Sequence, residues 1–185
     1  MADEFPKNST AGWKLLLGAF LLIGLPGIAF FVLSPILSTP HPVADYLLKP
    51  YSESMEAYKQ PGTLEEDWQA SFELYQQEKY VESRQMLEAM QAKGQLKPQQ
   101  QLLLGLSQLY QSPPQPLDAA NTLNEAGKLP SPHQKEAQWW ASLSYFLGDD
   151  RPNAHRLWAM MAADTSHTFH QQAKGVLAKV PPLEE

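Results

Sequence analysis

Residues 98–130 read PQQQLLLGLSQLYQSPPQPLDAANTLNEAGKLP, and their helix-breaking residues are spaced as in one helical hairpin. Pro98 suits the first turn of a helix, where its missing N–H breaks no hydrogen bond. The proline-rich stretch 112–116 separates two helices, and Pro130 follows the second of them. Because no alternating β-branched run is present, the stretch predicts two helices that pack as an antiparallel pair.

Similar signals recur on both sides of this hairpin. Residues 63–66 (TLEE) have the pattern of a capping box, and residues 131–134 (SPHQ) repeat it. Gly94, Gly127 and Gly148 each follow a helical stretch, where a left-handed C-cap favours glycine. We therefore predict an all-α fold. The predicted helices cover residues 64–77, 80–92, 98–111, 115–127, 132–147, 151–163 and 167–179.

The predicted hairpins begin 34 residues apart, at about residues 64, 98 and 132. A helical pair that repeats with this period is typical of the tetratricopeptide repeat (TPR). Residues that fit its signature positions are Trp68, Phe72, Tyr75, Tyr80, Ser83 and Leu87, then Leu104, Gly105, Ala120 and Pro130, then Trp140, Ala141, Gly148 and Ala154. The chain thus resembles the TPR family over about residues 64–163. This resemblance implies an α-solenoid of three TPR-like helical hairpins, with residues 167–179 as a C-terminal capping helix.

The stretch from Leu15 to Leu33 contains no charged residue. A helix of this length, at ~1.5 Å per residue, is about 28 Å long and matches a bilayer core of ~30 Å. Trp13 and Lys14 stand at its edge, as side chains at a membrane interface do. The run is longer than the apolar part of a signal peptide and lacks an Ala-x-Ala cleavage site. We predict one uncleaved transmembrane helix over residues 13–37.

Lysines predict the orientation of this helix. Lys7 and Lys14 precede the run, and the next basic residue is Lys49. The positive-inside rule then places the N-terminus in the cytoplasm and the rest of the chain outside it. In a bacterium, this describes a single-pass protein of the inner membrane whose C-terminal domain is periplasmic.

The apolar run contains Gly18, Gly24, Pro26 and Gly27. Pro26 removes a backbone hydrogen bond and kinks a helix. The kink has two interpretations. It is either tolerated, as is common in membrane helices, or these four residues form a surface on which a neighbouring membrane helix packs closely.

The sequence therefore divides into five segments. They are a short cytoplasmic head (1–12), the transmembrane helix (13–37), a linker (38–62), the TPR-like helical domain (63–180) and a tail (181–185). The linker could contain a short helix near 51–59, which would either cap the first repeat or hold the domain off the bilayer. The order of anchor, linker and three repeats resembles a group of bacterial single-pass repeat proteins.

Composition excludes several classes of function. The chain has no cysteine, which removes disulfides, thiol catalysis and cysteine zinc sites. Its formal net charge is −6, and no basic cluster suits nucleic acid. It also lacks a glycine-rich phosphate loop, a Gly-x-Ser-x-Gly elbow and a His-Glu-x-x-His motif. We therefore expect no enzymatic activity and no cofactor.

Asp164, His167 and His170 are the best candidates for a metal site. Their three-residue spacing would place them on one side of a single helix, as metal ligands often are. The alternative is that Thr165 or Ser166 caps the last helix, which makes His167 an ordinary first-turn residue.

The TPR resemblance also implies a partner-binding groove, because the first helices of the pairs line a concave surface in that family. The matching positions are Glu66, Gln69, Glu73 and Gln76, then Gln99, Leu102, Leu106 and Leu109 or Tyr110, then Lys135, Gln138, Ser142 and Tyr145. Such a groove, acidic and amide-rich at one end and apolar in the middle, suits an extended or helical peptide. Alternatively, Leu102 and Leu106 pack inward.

These features favour a non-enzymatic scaffold or accessory subunit of a membrane-bound complex. Its partners would be proteins in or at the membrane, and it would contact the bilayer through residues 13–37. Two alternatives are a periplasmic ligand- or metal-binding module, based on the histidines, and a transmembrane regulatory protein.

Overall fold

The computed structural model describes residues 43–47, 66–94 and 96–181, and no strand occurs among them. The chain divides into two units, and the second, Asp45–Glu185, contains the seven long helices of the described ranges. These seven helices are α1 (Glu66–Gln76), α2 (Tyr80–Lys93), α3 (Pro98–Tyr110), α4 (Pro116–Lys128), α5 (Gln134–Leu147), α6 (Arg151–Ala163) and α7 (His170–Lys179). A single helical turn, Ala44–Leu47, precedes them. The prediction of an all-α fold is confirmed.

Several predictions fall on residues outside these ranges. They include the transmembrane helix over 13–37 with Gly18, Gly24, Pro26 and Gly27, and the short helix near 51–59. Within the described ranges, no helix has the length and apolar character needed to span a bilayer. The predicted segment boundaries therefore stay predictions.

The helices pack in chain order, with short connections between them. Each helix contacts the next one along the chain, and in addition α1 contacts α3 and α3 contacts α5. The first helices of the successive pairs α1–α2, α3–α4 and α5–α6 therefore lie next to one another. This is a repeat-like order, in which a contact surface is extended one pair at a time.

The centre of this array is formed by α3 and α5. Every residue from Leu102 to Leu109 is buried in α3, and so is every residue from Trp139 to Phe146 in α5. A helix that is buried on all sides must be apolar or small-residue on all sides, and the leucine-rich sequence of α3 meets that condition. The aromatic residues Trp68, Phe72 and Tyr75, which fit TPR signature positions, are also in the core, and so is Trp158.

Three buried serines let α1, α2 and α3 approach closely. Ser71, Ser83 and Ser107 have no exposed surface. The Ser83 hydroxyl donates to the Ser71 carbonyl oxygen at 2.9 Å, and the Ser107 hydroxyl donates to Ser83 Oγ at 3.2 Å. Because each of these donors has an acceptor, burying them avoids the cost of an unpaired polar group.

Two helices begin later than predicted. Gln134 N–H donates to the Ser131 carbonyl oxygen at 3.2 Å, so residues 131–133 form a turn before α5 rather than its first turn. Asp164 Oδ1 accepts from Ser166 N–H at 2.9 Å and from Ser166 Oγ at 2.7 Å. This local turn competes with the helix and delays the start of α7 to His170.

The predicted left-handed glycine caps are wrong. Gly94 has φ 173° and Gly148 has φ −83°, while Gly127 lies inside α4. The left-handed residues are instead Glu78 and Asp149, each with φ 60°.

The two left-handed residues occupy equivalent places at the ends of α1 and α5. The N–H that follows each of them closes a Schellman turn, from Lys79 to the Leu74 carbonyl oxygen at 2.9 Å and from Asp150 to that of Tyr145 at 2.8 Å. In both places the next helix begins two residues after the left-handed residue. The first and third pairs therefore use the same turn.

Replacing Glu78 by glycine should stabilise the protein. A side chain in the left-handed region costs roughly 1–2 kcal/mol, whereas glycine adds about 0.4–1 kcal/mol of unfolded-state entropy. We expect Glu78→Gly to raise the free energy of unfolding by about 0.5–1 kcal/mol in urea titrations. Gln77→Gly, one residue earlier, is the control and should lower it; equal losses in both variants would contradict the assignment.

Gly105 is required by the contact between α3 and α4. A methyl group there would lie 2.5 Å from Leu123 Cγ, and Leu123 is fully buried. Overpacking costs about 1–3 kcal/mol, against a helix gain of about 1 kcal/mol for alanine over glycine. Gly105→Ala should therefore lower the free energy of unfolding, by up to about 2 kcal/mol. Gly94→Ala is the matched control, because no atom lies within 4 Å of its added methyl group. An equal change in both variants would show that the close contact between α3 and α4 does not determine the effect of the substitution at Gly105.

Candidate partner-binding surface

The first helix presents an open polar face. Gln69, Glu73 and Gln76 are exposed, and Gln69 Nε2 donates to Glu73 Oε1 at 2.9 Å. Glu66 begins α1, but its side chain lies outside the described set. The opposite side of α1 is buried through Trp68 and the other core aromatics. Of the predicted groove residues, these polar ones are the most accessible.

The predicted apolar middle of the groove is not at the surface. Leu102 and Leu106 have no exposed area, and Leu109 retains 5%. Tyr145 is also buried, and its hydroxyl donates to Asn121 Oδ1 at 3.3 Å. The structure therefore agrees with the alternative in which Leu102 and Leu106 pack inward, and Tyr145 joins α5 to α4.

Tyr110, a half-buried groove candidate, lies in a row of aromatic rings. Its ring centroid is 5.7 Å from that of Tyr80 and 6.0 Å from that of Trp140. Burial is the main cause that raises its pKa above the ordinary value of tyrosine. Its hydroxyl therefore stays protonated at neutral pH and can act as a donor. It donates to the Leu47 carbonyl oxygen in a long hydrogen bond of 3.5 Å.

Tyr46 contacts the same surface, although the sequence assigned it only to a linker. Its ring meets Trp139 edge to face, with centroids 5.4 Å apart and planes at 85°. Trp139 in turn stacks on Phe169, with centroids 5.1 Å apart and planes at 3°. A methyl group at Gly175 of α7 would lie 3.8 Å from the Tyr46 hydroxyl. The Tyr46-Leu47 pair thus contacts the first helices α3 and α5 and the terminal helix α7.

Gln138, predicted to face the groove, instead joins three elements. Its Nε2 donates to the Gly127 carbonyl oxygen at 2.9 Å, and its Oε1 lies 3.1 Å from His167 Nε2. His167 Nδ1 accepts from Phe169 N–H at 3.1 Å, so the neutral ring carries its proton on Nε2. Burial, and then the nearby Lys135 ammonium group, lower the pKa of His167. Lys135 is itself engaged with the Ser166 carbonyl oxygen at 2.7 Å.

The three candidate metal ligands do not come together in the structure. Asp164 turns its carboxylate to Ser166, and these hydrogen bonds lower its pKa. His167 faces Gln138, while His170 Nδ1 lies 3.4 Å from the Met161 carbonyl oxygen. Throughout the described part of the chain, no three His, Cys, Asp or Glu side chains are grouped to hold a metal ion. The structure therefore gives no support to a metal-binding module.

Comparisons of the chain with protein-family models, curated proteins and solved structures found no match. The functional interpretation therefore depends on the packing order of the helices and on the contacts of the described side chains. The TPR resemblance stays an expectation based on the sequence.

Stability should depend on pH through His167. Its pKa is lowered in the folded state from an ordinary value of 6.5, so folding favours the neutral ring. This contribution is complete above pH 6.5 and is lost as pH falls through the lower, folded-state pKa. We expect the free energy of unfolding in urea to fall between pH 7.5 and pH 5, a range set by the ordinary histidine pKa of about 6.5.

His167→Gln should reduce this pH dependence. Burial also lowers the pKa of His133, so His133→Gln should reduce it as well. The double variant should then have the flattest profile of all. An unchanged slope in the double variant would show that neither ring stabilises the fold in its neutral form.

Proposed function

We propose that this chain is a non-enzymatic protein–protein interaction subunit of a membrane-bound complex. The supporting observation is the packing order, in which α1, α3 and α5 lie next to one another as the first helices of successive pairs and α1 leaves a polar face exposed. In helical repeat proteins, such surfaces bind other proteins. The predicted helix over residues 13–37 would hold this surface at a bacterial inner membrane, with the domain in the periplasm.

The proposal includes three TPR-like hairpins and a terminal cap, α7. The equivalent left-handed turns at Glu78 and Asp149 support a repeated unit in the first and third pairs. The close contact of Gly105 with Leu123 supports the second pair, because it places a small residue where the repeat expects one. In a scaffold built in this way, the second and third pairs support the first, and a partner binds the exposed face of α1.

The open end of the surface is acidic and amide-rich. Gln69, Glu73 and Gln76 of α1 are exposed there, and Glu78 is exposed just after the helix, whereas Asp67 pairs with Lys93 of α2. A partner segment with basic side chains would complement this charge, which favours specificity and the rate of association. Anchoring both proteins in one membrane raises their effective concentration, so modest affinity suffices.

The test is co-purification of the full-length chain from membranes in mild detergent. We expect a stoichiometric protein partner, and we expect Glu73→Lys to reduce its recovery at least fivefold by reversing charge on the α1 surface. Glu82→Lys on α2 is the matched control, since Glu82 is also exposed. Glu82 lies in the first turn of its helix, where a negative charge is favourable, so this control is the more destabilising of the two.

Two results would overturn the proposal. One is a chain that purifies alone at native expression, without any stoichiometric partner. The other is an equal loss of partner in both charge-reversal variants, which would show that the α1 surface has no special role.

A further inference from the structure

We propose that the surface formed by α3, α5 and α7 is a peptide-binding site, and that the chain's own Tyr46-Leu47 pair occupies it as an internal ligand. A partner would carry the same chemistry: a tyrosine followed by an aliphatic residue in a short helical turn. This inference rests on the proposed interaction function and names the kind of segment that the surface recognises.

Each of the three helices contributes a distinct contact to the pair. On α3, the Tyr110 hydroxyl donates to the Leu47 carbonyl oxygen at 3.5 Å. On α5, the Trp139 indole meets the Tyr46 ring edge to face. On α7, Gly175 leaves room for the Tyr46 hydroxyl, which lies 3.8 Å from where a methyl group would stand. The surface thus contacts a backbone acceptor and an aromatic ring, and it leaves space for the hydroxyl.

The receiving side chains are held in place without the pair. Trp139 stacks on Phe169, and Tyr110 lies between Tyr80 and Trp140, so each ring has partners other than the pair. Rigid aromatic side chains lose little conformational entropy on binding and are frequent energetic anchors at interfaces. The surface is therefore pre-organised for a ligand.

The Tyr46-Leu47 pair is a weak internal ligand by comparison. Both residues are only half-buried, whereas Val43 just before the turn is fully buried, so the exchangeable part of the segment is the pair itself. The helical turn Ala44–Leu47 has four residues, too few for a helix that is stable on its own. Its position depends on these contacts and on the tether, which supplies a high effective concentration. A partner segment of the same chemistry can therefore replace it.

The test uses the full-length chain in detergent micelles and a fluorescent peptide with the sequence of residues 41–50, HPVADYLLKP. Fluorescence anisotropy should show that the peptide binds the Tyr46→Ala variant at least tenfold more tightly than the unchanged chain, because the variant leaves the site open. The same peptide with its tyrosine changed to alanine is the control and should bind the variant at least tenfold more weakly.

A second pair of variants locates the site. Adding Gly175→Leu to Tyr46→Ala should weaken peptide binding at least tenfold, because the new side chain would fill the place of the tyrosine hydroxyl. Adding Tyr110→Phe should weaken it a few-fold, since only one hydrogen bond is lost. Should Tyr46→Ala unfold the chain, Leu47→Gly serves instead, because it loosens the helical turn and leaves the seven long helices intact.

The inference is overturned if the peptide binds the unchanged and open variants equally, if it shows no saturable binding to either open variant, or if the peptide without tyrosine binds as well. These outcomes differ from a failure of the proposed function. A chain without a co-purified partner could still bind the peptide, and a chain with a partner could fail to bind it.

Discussion

The burial of α3 and α5 on nearly all sides is the constraint on which the rest of the structure depends. Two such helices cannot be covered by each other alone, so α4 packs against both of them, while α2 packs on α3 and α6 packs on α5. Close approach is possible because the residues at the contacts are small, as at Gly105 and the buried serines. Because α3 and α5 must be covered, the surface available to a partner is restricted to faces that do not cover them, such as the polar face of α1.

Much of the fold could be predicted because its signals are local. Pro98 begins α3 as the sequence indicated, since a proline at the first helical turn is a property of two or three residues. The late start of α7 has a local cause as well. Ser166, which the sequence offers as a helix cap, instead donates to Asp164 in a turn before the helix. The left-handed helix ends were harder to predict, because a glycine at a helix end can be the left-handed residue itself or the residue before it. Gly148 is the residue before, and Asp149 has the left-handed conformation.

The site was harder to predict than the fold. Periodicity shows that Leu102 and Leu106 are apolar, but it does not show that their helix is covered on both sides. Tyr46 was missed because no repeat pattern includes it and its partners Trp139 and Gly175 are about a hundred residues away. The polar face of α1 could be predicted because its exposed side chains follow from the pattern of that helix alone. A surface that is partly filled by its own chain has no signature in local sequence.

Trp139 and Trp140 follow one another in α5, and successive helical residues point about 100° apart. Trp139 therefore lies against Tyr46 and Phe169, while Trp140 lies against Tyr110. The two indole rings therefore have different surroundings, although they are adjacent on one helix. Replacing one of the two rings at a time by phenylalanine should therefore give two different difference spectra in near-ultraviolet circular dichroism and emission. Each reports one side of α5, against the common background of Trp13, Trp68 and Trp158.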